Sequence, residues 1–194
     1  MNQYVHGWAL VLLMMACAGC TSVPVHYYTL ATPEGAMEPA DKLRAIPIDV
    51  RVVHMPALLN RSELIVRSGP TEVTLLENER WASPLDDEIR DAVRYELQKR
   101  FAQAPDSAPW RSLSHLTITI DVERIETEPG RYALVEVAWG ASTKGAVKVP
   151  HDTAIQHHPF RGYEQIGDGY NEIVAGYQRA IQALADSIIS VLSS

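Results

Sequence analysis

Two cysteines, Cys17 and Cys20, are the only thiols in the chain, and both lie near its N-terminus. A thiol can form a disulfide, ligate zinc, act as a nucleophile or carry a lipid. Because no cysteine follows Cys20, we expect the body of the protein to contain neither an internal disulfide nor a cysteine-based zinc site. The chemistry of these thiols therefore belongs to the N-terminal segment.

The residues around Cys20 favour lipid attachment. Residues 8–19 read WALVLLMMACAG and carry no charge, a run that is too short to cross a bilayer core of about 30 Å but typical of an export signal. Ala18 and Gly19, directly before Cys20, resemble the lipobox of bacterial lipoproteins, in which a peptidase cuts before a cysteine that carries diacylglycerol. We therefore predict a signal peptide over residues 1–19, a lipid anchor at Cys20 and a tether that ends at residue 26. The alternatives are cleavage before Cys17, an ordinary signal peptide, and a buried N-terminal helix with an incidental cysteine.

Three histidines suggest a second kind of chemistry, metal binding, because His151, His157 and His158 lie within eight residues. The nearby residues offer no spacing that completes a ligand set, and a polar loop or an edge strand often carries solvated histidines. We therefore predict no metal site.

The sequence contains no motif typical of catalysis or cofactor binding. It lacks a G-x-S-x-G nucleophile elbow and a Gly-rich phosphate loop that ends in Lys and Ser or Thr. The carboxylate pairs have simpler explanations, since Asp86 and Asp87 stand at a helix start and Asp121 and Glu123 on the outward side of a strand. We predict no cofactor and no enzymatic activity, and a periplasmic hydrolase is the alternative.

Length and charge set bounds on the rest of the molecule. The chain has 194 residues and a mass of 21.5 kDa, enough for one domain, which we place over residues 27–194. Its 46% hydrophobic and 21% charged residues are typical of a globular domain with a packed core. The net charge of −7, with 17 Lys and Arg scattered among 24 acidic residues, argues against a nucleic-acid partner.

Alternating apolar residues predict about six strands, mostly joined as hairpins. The first strand is HYYTL, and IPIDVRVV follows after a loop rich in Pro and Gly. ELIVR and TEVTLL form one predicted hairpin, and HLTITIDVERIE and RYALVEVAWGAS, joined by the turn signal TEPG, form the clearest one. A further strand is expected around residues 155–163.

Two amphipathic helices are predicted to pack on one face of this largely antiparallel or mixed sheet, which makes the fold α+β. The first helix is expected to have Ser83 as its N-cap and Pro84 in its first helical position, followed by acidic residues that complement the helix dipole. Its apolar stripe is Leu85, Ile89, Val93, Leu97 and Phe101. The second helix covers residues 170–192. Its apolar face is Ile173, Tyr177, Ile181, Leu184, Ile188 and Val191.

Taken in order, these motifs resemble the PqiC (YmbA) family of lipoproteins, the auxiliary lipoprotein component of ABC-type transport systems that work with MCE-domain proteins. The resemblance rests on Cys20, on YYTL, on IDVRVVHMPALLNRSELIVR over residues 48–67, on RWASPLDDEI, on LTITIDVERIE and on the final helix. It covers nearly the whole mature chain except residues 141–165.

The resemblance implies a non-enzymatic adaptor, anchored in the bacterial outer membrane and facing the periplasm. Its implied partner is an MCE-domain, PqiB-like transporter protein that conducts phospholipid between the two membranes, and the implied assembly is a homo-oligomer. The residue after Cys20 is Thr21 and not the Asp that tends to retain lipoproteins at the inner membrane, which is consistent with an outer-membrane location. The alternative is a periplasm-facing carrier that itself holds an acyl chain.

Contacts with the partner are expected at aromatic and arginine side chains, because Trp, Tyr and Arg are enriched at binding hot spots. The candidates are Tyr27, Tyr28, Arg61, Arg80 and Trp81. For Trp81, which directly precedes a predicted helix start, the alternative is structural packing as a hydrophobic staple.

Overall fold

The structure is a computed structural model, and it describes residues 23–31, 47–105, 108, 114–144 and 157–193. The signal peptide, Cys20 and His151 lie outside these residues, so what the sequence suggests for them stays a prediction. The strands are β1 (His26–Tyr28), β2 (Ile48–His54), β3 (Glu63–Arg67), β4 (Val73–Trp81), β5 (His115–Glu128), β6 (Tyr132–Lys144) and β7 (His158–Gln165). The helices are α1 (Leu85–Gln103) and α2 (Tyr170–Leu192).

The strands form two sheets. The three-stranded sheet has the order β1-β4-β3, with β1 parallel and β3 antiparallel to β4. The four-stranded sheet has the order β2-β5-β6-β7, in which β2 is parallel to β5 and the other pairs are antiparallel. The predicted α+β class with a mixed sheet is confirmed, although the strands divide between two sheets.

The core lies between the four-stranded sheet and the two helices. Alternate residues of β5 and β6 point into it and are almost completely buried, as their period of two predicts. On the helix side, α1 contacts β2, α2 contacts β6 and β7, and the helices contact each other. All five residues of the stripe predicted for α1 are buried. The helices therefore pack on one face of the larger sheet, as predicted.

Two details of the helices differ from the sequence-based expectation. Pro84, not Ser83, occupies the N-cap of α1, because its extended backbone (φ −50°, ψ 137°) places it before the first helical residue. Its carbonyl oxygen accepts the Glu88 N–H at 3.0 Å, and no side chain caps this end. Val191, predicted for the apolar face of α2, is 39% exposed, and its neighbours Ile189 and Leu192 pack against the core in its place.

The strand expected around residues 155–163 is present as β7, and the approach of α2 to it depends on glycine. A Cβ on Gly162 would lie 2.8 Å from the Cβ of Ala180, and one on Gly176 would lie 2.6 Å from Cγ2 of Ile166. Such distances are closer than packed atoms tolerate, so both positions require glycine at this helix–sheet interface.

Candidate docking surface

The ladder between β1 and β4 brings four of the five contact candidates together. Tyr27 is in register with Arg80, and Tyr28 with Trp81. The Trp81 N–H donates to the carbonyl oxygen of Ser62 at 2.7 Å, which places Arg61 at the same end of the three-stranded sheet. Residues far apart in the sequence thus meet at one site, and the alternation of the strands decides which of them face outward.

Trp81 faces inward. Its side chain is 6% exposed, its ring centroid lies 6.2 Å from that of Tyr177 on α2, and it lines a small cavity with Leu59 and Leu85. A side chain in this position packs the three-stranded sheet against α2. Trp81 therefore offers almost no surface to a partner.

Tyr28 is half-buried and is held by a carboxylate. Its hydroxyl donates to Glu79 at 2.6 Å, and His26 Nδ1 lies 3.1 Å from the other oxygen of the same carboxylate. Burial, together with the adjacent Glu79 carboxylate, raises the pKa of Tyr28 to about 12. Burial alone would raise the pKa of Glu79, but the hydrogen bonds from Tyr28 and His26 outweigh it and lower that pKa. The Tyr28 hydroxyl is therefore engaged within the fold.

Tyr27, Arg61 and Arg80 face outward and form what we call the arginine–tyrosine surface. Tyr27 is 66% exposed, and β1 is an edge strand of its sheet. The Arg80 side chain is half-buried, and its Nε donates to the carbonyl oxygen of Glu77 at 2.9 Å. Arg61 is exposed. This surface presents one aromatic ring and two guanidinium groups to solvent.

Neither guanidinium group has a carboxylate partner among the described residues. In the part of the chain that the structure describes, Arg61 and Arg80 are the only arginines without a carboxylate at ion-pair distance. The paired ones are Arg51, Arg67, Arg90, Arg94, Arg100, Arg124, Arg131, Arg161 and Arg179. The two exceptions in this acidic protein therefore occur together, beside an exposed tyrosine.

The chain directly after β1 is fixed by both helices, in an arrangement that we call the Leu30 lock. Glu88 on α1 is only 6% exposed, and its Oε2 accepts hydrogen bonds from the Thr29 hydroxyl and the Leu30 N–H, both at 2.8 Å. On the other side, Gln178 of α2 donates to the Leu30 carbonyl oxygen at 3.3 Å. The Leu30 side chain is buried between them. The lock fixes the first strand to the body of the domain.

Sequence reasoning missed the role of Glu88. Its place in the first turn predicts favourable interaction with the helix dipole, an effect it shares with Asp86 and Asp87. What distinguishes it is burial, since it faces the core side of α1 next to Ile89. The sequence does contain a signal for this role, because a carboxylate on the apolar side of an amphipathic helix must be buried and therefore needs hydrogen-bond donors.

Other features of the described residues offer no competing site. No group of three or more His, Cys, Asp or Glu is placed to hold a metal ion within the described ranges, and the His158 ring stacks on Trp139 with centroids 4.6 Å apart. Three cavities that these residues line have volumes of about 10, 20 and 100 Å³. Neither α1 nor α2 is both long enough and apolar enough to cross a membrane.

Comparison with known proteins gives a family and a fold. The family model described as "ABC-type transport auxiliary lipoprotein component" matches residues 28–189. A crystal structure of an uncharacterised protein is similar with a TM-score of 0.64 at 18% identity, covering 88% of this chain and 100% of that one. A Xanthomonas campestris protein of the DUF330 family has a TM-score of 0.53 at 11% identity, covering 88% and 95%. A search of curated proteins finds no match. At these identities the two structures support the fold alone.

Proposed function

Because this chain belongs to the family of ABC-type transport auxiliary lipoprotein components, we propose that it is a non-enzymatic adaptor, lipid-anchored at Cys20 in the outer membrane and facing the periplasm. Its partner would be the MCE-domain, PqiB-like protein of an intermembrane lipid transport system. The family match over residues 28–189 is the observation that carries the proposal. The lipobox-like residues before Cys20 supply the anchor.

The anchor has a simple energetic basis. Each buried CH₂ group contributes about 0.8 kcal/mol, so a single acyl chain holds a protein only reversibly, whereas two or more hold it durably. Diacylglycerol on the Cys20 sulfur and an acyl chain on its amine would give three chains. Membrane residence would then need no spanning helix.

The tether sets how far the domain can move from the membrane. His26, where β1 begins, lies six positions after Cys20. At no more than about 3.6 Å per position, these six steps along the chain span roughly 20 Å. The Leu30 lock then attaches this tether to both helices, so we propose that the domain stays close to the bilayer with its first strand nearest the anchor.

The cavities lined by the described residues favour an adaptor over a carrier that encloses an acyl chain. Ligand pockets commonly have volumes of about 300–1,000 Å³, whereas the largest of the three cavities described above has about 100 Å³. That cavity lies between α1 and α2, near Leu30 and Tyr95. It is too small for a lipid tail.

Lipidation of Cys20 can be tested by metabolic labelling with an alkyne fatty acid, followed by membrane fractionation. Cys20→Ala should abolish the label and remove the protein from the outer-membrane fraction, because the only acylated thiol is lost. Cys17→Ala is the matched control and should keep both. Label retained in Cys20→Ala, or lost in Cys17→Ala instead, would show that the anchor is assigned to the wrong residue.

The adaptor role can be tested by chemical crosslinking in intact cells and purification from membranes. We expect the MCE-domain protein of the same transport system to be recovered, together with crosslinked oligomers of this chain, since we also propose a homo-oligomer. We further propose that the partner meets Tyr27, Arg61 and Arg80, the contact candidates that face outward. Recovery of no MCE-domain protein would refute the adaptor role.

A further inference from the structure

We infer that the arginine–tyrosine surface binds an acidic segment of the partner protein, an inference that rests on the proposed adaptor function. The surface consists of Tyr27, Arg61 and Arg80, as defined above. The surface would bind a protein segment whose carboxylates accept hydrogen bonds from the two guanidinium groups.

The charge pattern of the molecule supports this inference. The chain carries a net charge of −7 and has more acidic residues than basic ones, so an arginine on its surface readily finds a carboxylate. Every other arginine in the described ranges does so, yet Arg61 and Arg80 do not. Glu63, in register with Arg80 on the neighbouring strand, forms no ion pair with it. Each guanidinium keeps donors that fit a carboxylate in bidentate geometry.

The setting is that of a protein-binding site. The exposed Tyr27 ring lies in register beside Arg80, and Tyr and Arg are enriched at interface hot spots. Leu58, in the loop that leads to Arg61, is also exposed and adds apolar surface at the same end of the sheet. The aromatic ring and the nearby apolar side chain would be buried when a partner binds. The two guanidinium groups would fix where its carboxylates lie.

An anionic membrane is the competing occupant, and the charge count disfavours it. Electrostatic recruitment to anionic lipids typically uses clusters of about 4–8 Lys or Arg. The surface has two, on a protein whose net charge of −7 is repelled by such a membrane. Two fixed guanidinium groups are better suited to carboxylates at defined positions than to a diffuse negative surface.

The test uses the full-length lipidated protein in its own membrane, with a photoreactive benzoylphenylalanine in place of Tyr27. The control carries the probe in place of Tyr163, a strand tyrosine on β7 that is 53% exposed. Charge reversal by Arg61→Glu with Arg80→Glu is compared with Lys99→Glu with Arg161→Glu, which changes the net charge equally at exposed sites elsewhere. Arg61→Glu alone is included because Arg61 is exposed and its side chain forms neither a hydrogen bond nor an ion pair with the residues that the structure describes, so the substitution should leave the fold intact.

We expect the probe at position 27 to crosslink to the MCE-domain partner, and the probe at 163 to yield at least ten-fold less of this adduct. The Arg61/Arg80 reversal should lower the adduct at least ten-fold, Arg61→Glu alone at least three-fold, and the control pair less than two-fold. Lysine at acidic positions of the partner segment should restore it. An unchanged adduct in the reversed protein, or an adduct with lipid or with a second copy of this chain, overturns the inference and leaves the adaptor role standing. Failure to recover the partner from wild-type membranes overturns both.

Discussion

Removing the Glu88 carboxylate should release the first strand from the helices and destabilise the domain. In Glu88→Ala the buried Leu30 N–H loses its acceptor, and the Thr29 hydroxyl loses its partner. A buried polar group left without a partner costs about 1–3 kcal/mol, whereas the exposed Thr29 can bond to water. With the small cavity left by the side chain, we expect the free energy of unfolding to fall by about 3 kcal/mol. The melting temperature of a domain of this size should then fall by roughly 6–12 °C.

The measurement is urea and thermal unfolding of the purified protein, followed by the fluorescence of tryptophan. Asp86→Ala is the matched control, because Asp86 is an exposed acid in the same helical turn and loses only its interaction with the dipole, about 0.3–1 kcal/mol. Glu88→Gln keeps an oxygen acceptor but loses the charge, so it should cost about half as much as Glu88→Ala. Hydrogen exchange adds a local readout, since the Leu30 amide should lose its protection in Glu88→Ala.

The reasoning is refuted if Glu88→Ala and Asp86→Ala destabilise the protein equally. That result would mean that Glu88 acts only through the helix dipole and that the bonds to Thr29 and Leu30 contribute nothing net. A loss of stability with full protection of the Leu30 amide would also contradict the lock, because it would place the effect elsewhere in α1.

Two further predictions concern packing and pH. Gly176→Ala should lower the free energy of unfolding by about 1–3 kcal/mol in a urea titration, because the new methyl group meets Ile166 at 2.6 Å. The control is Gly69→Ala, where a Cβ would lie 3.6 Å from the Cβ of Glu72, an ordinary contact distance, and the free energy of unfolding should change by less than about 0.5 kcal/mol. Equal effects of the two substitutions would contradict the close approach at Gly176. The hydrogen bond from Arg67 lowers the pKa of Glu126 in the folded protein. This contribution to stability is complete above the unfolded pKa of about 4.3 and is lost as the pH falls through the folded pKa. In Glu126→Gln the free energy of unfolding, measured by urea titration at several pH values, should therefore depend less on pH below pH 4. An unchanged pH dependence in that range would contradict a stabilising interaction between Arg67 and Glu126.

How much the sequence predicts depends on whether a contact is local or distant. The alternation in β5 and β6 and the stripe of α1 are local patterns, and burial follows them closely. The parallel pairings of β1 with β4 and of β2 with β5 join segments that are 53 or more positions apart, and the hairpin pattern gives no sign of them. The two-sheet arrangement follows from these pairings and was not predictable from periodicity.

The contact candidates illustrate the same limit at the level of side chains. Residue type places Tyr27, Tyr28, Arg80 and Trp81 in one group, because all four belong to classes found at interfaces. Register divides them: Tyr28 and Trp81 face inward, and Tyr27 and Arg80 face outward. Only the pairing of β1 with β4 supplies this information.

Adjacent residues of the short strand β1 therefore have different roles: Tyr28 attaches the strand to the domain, and Tyr27 belongs to the surface proposed to bind the partner. Because side chains alternate with a period of two, a slip of one residue in β1 would turn Tyr28 outward and Tyr27 inward. The ladder of three pairs is too short to exclude such a slip by itself, and tyrosine at both positions fits either register. The hydrogen bond from Tyr28 to Glu79 and the Leu30 lock break this degeneracy, since each is formed in one register only. We therefore expect that weakening the lock disturbs the arginine–tyrosine surface as well, so that Glu88→Ala lowers the crosslinking yield at position 27 although Glu88 itself is buried.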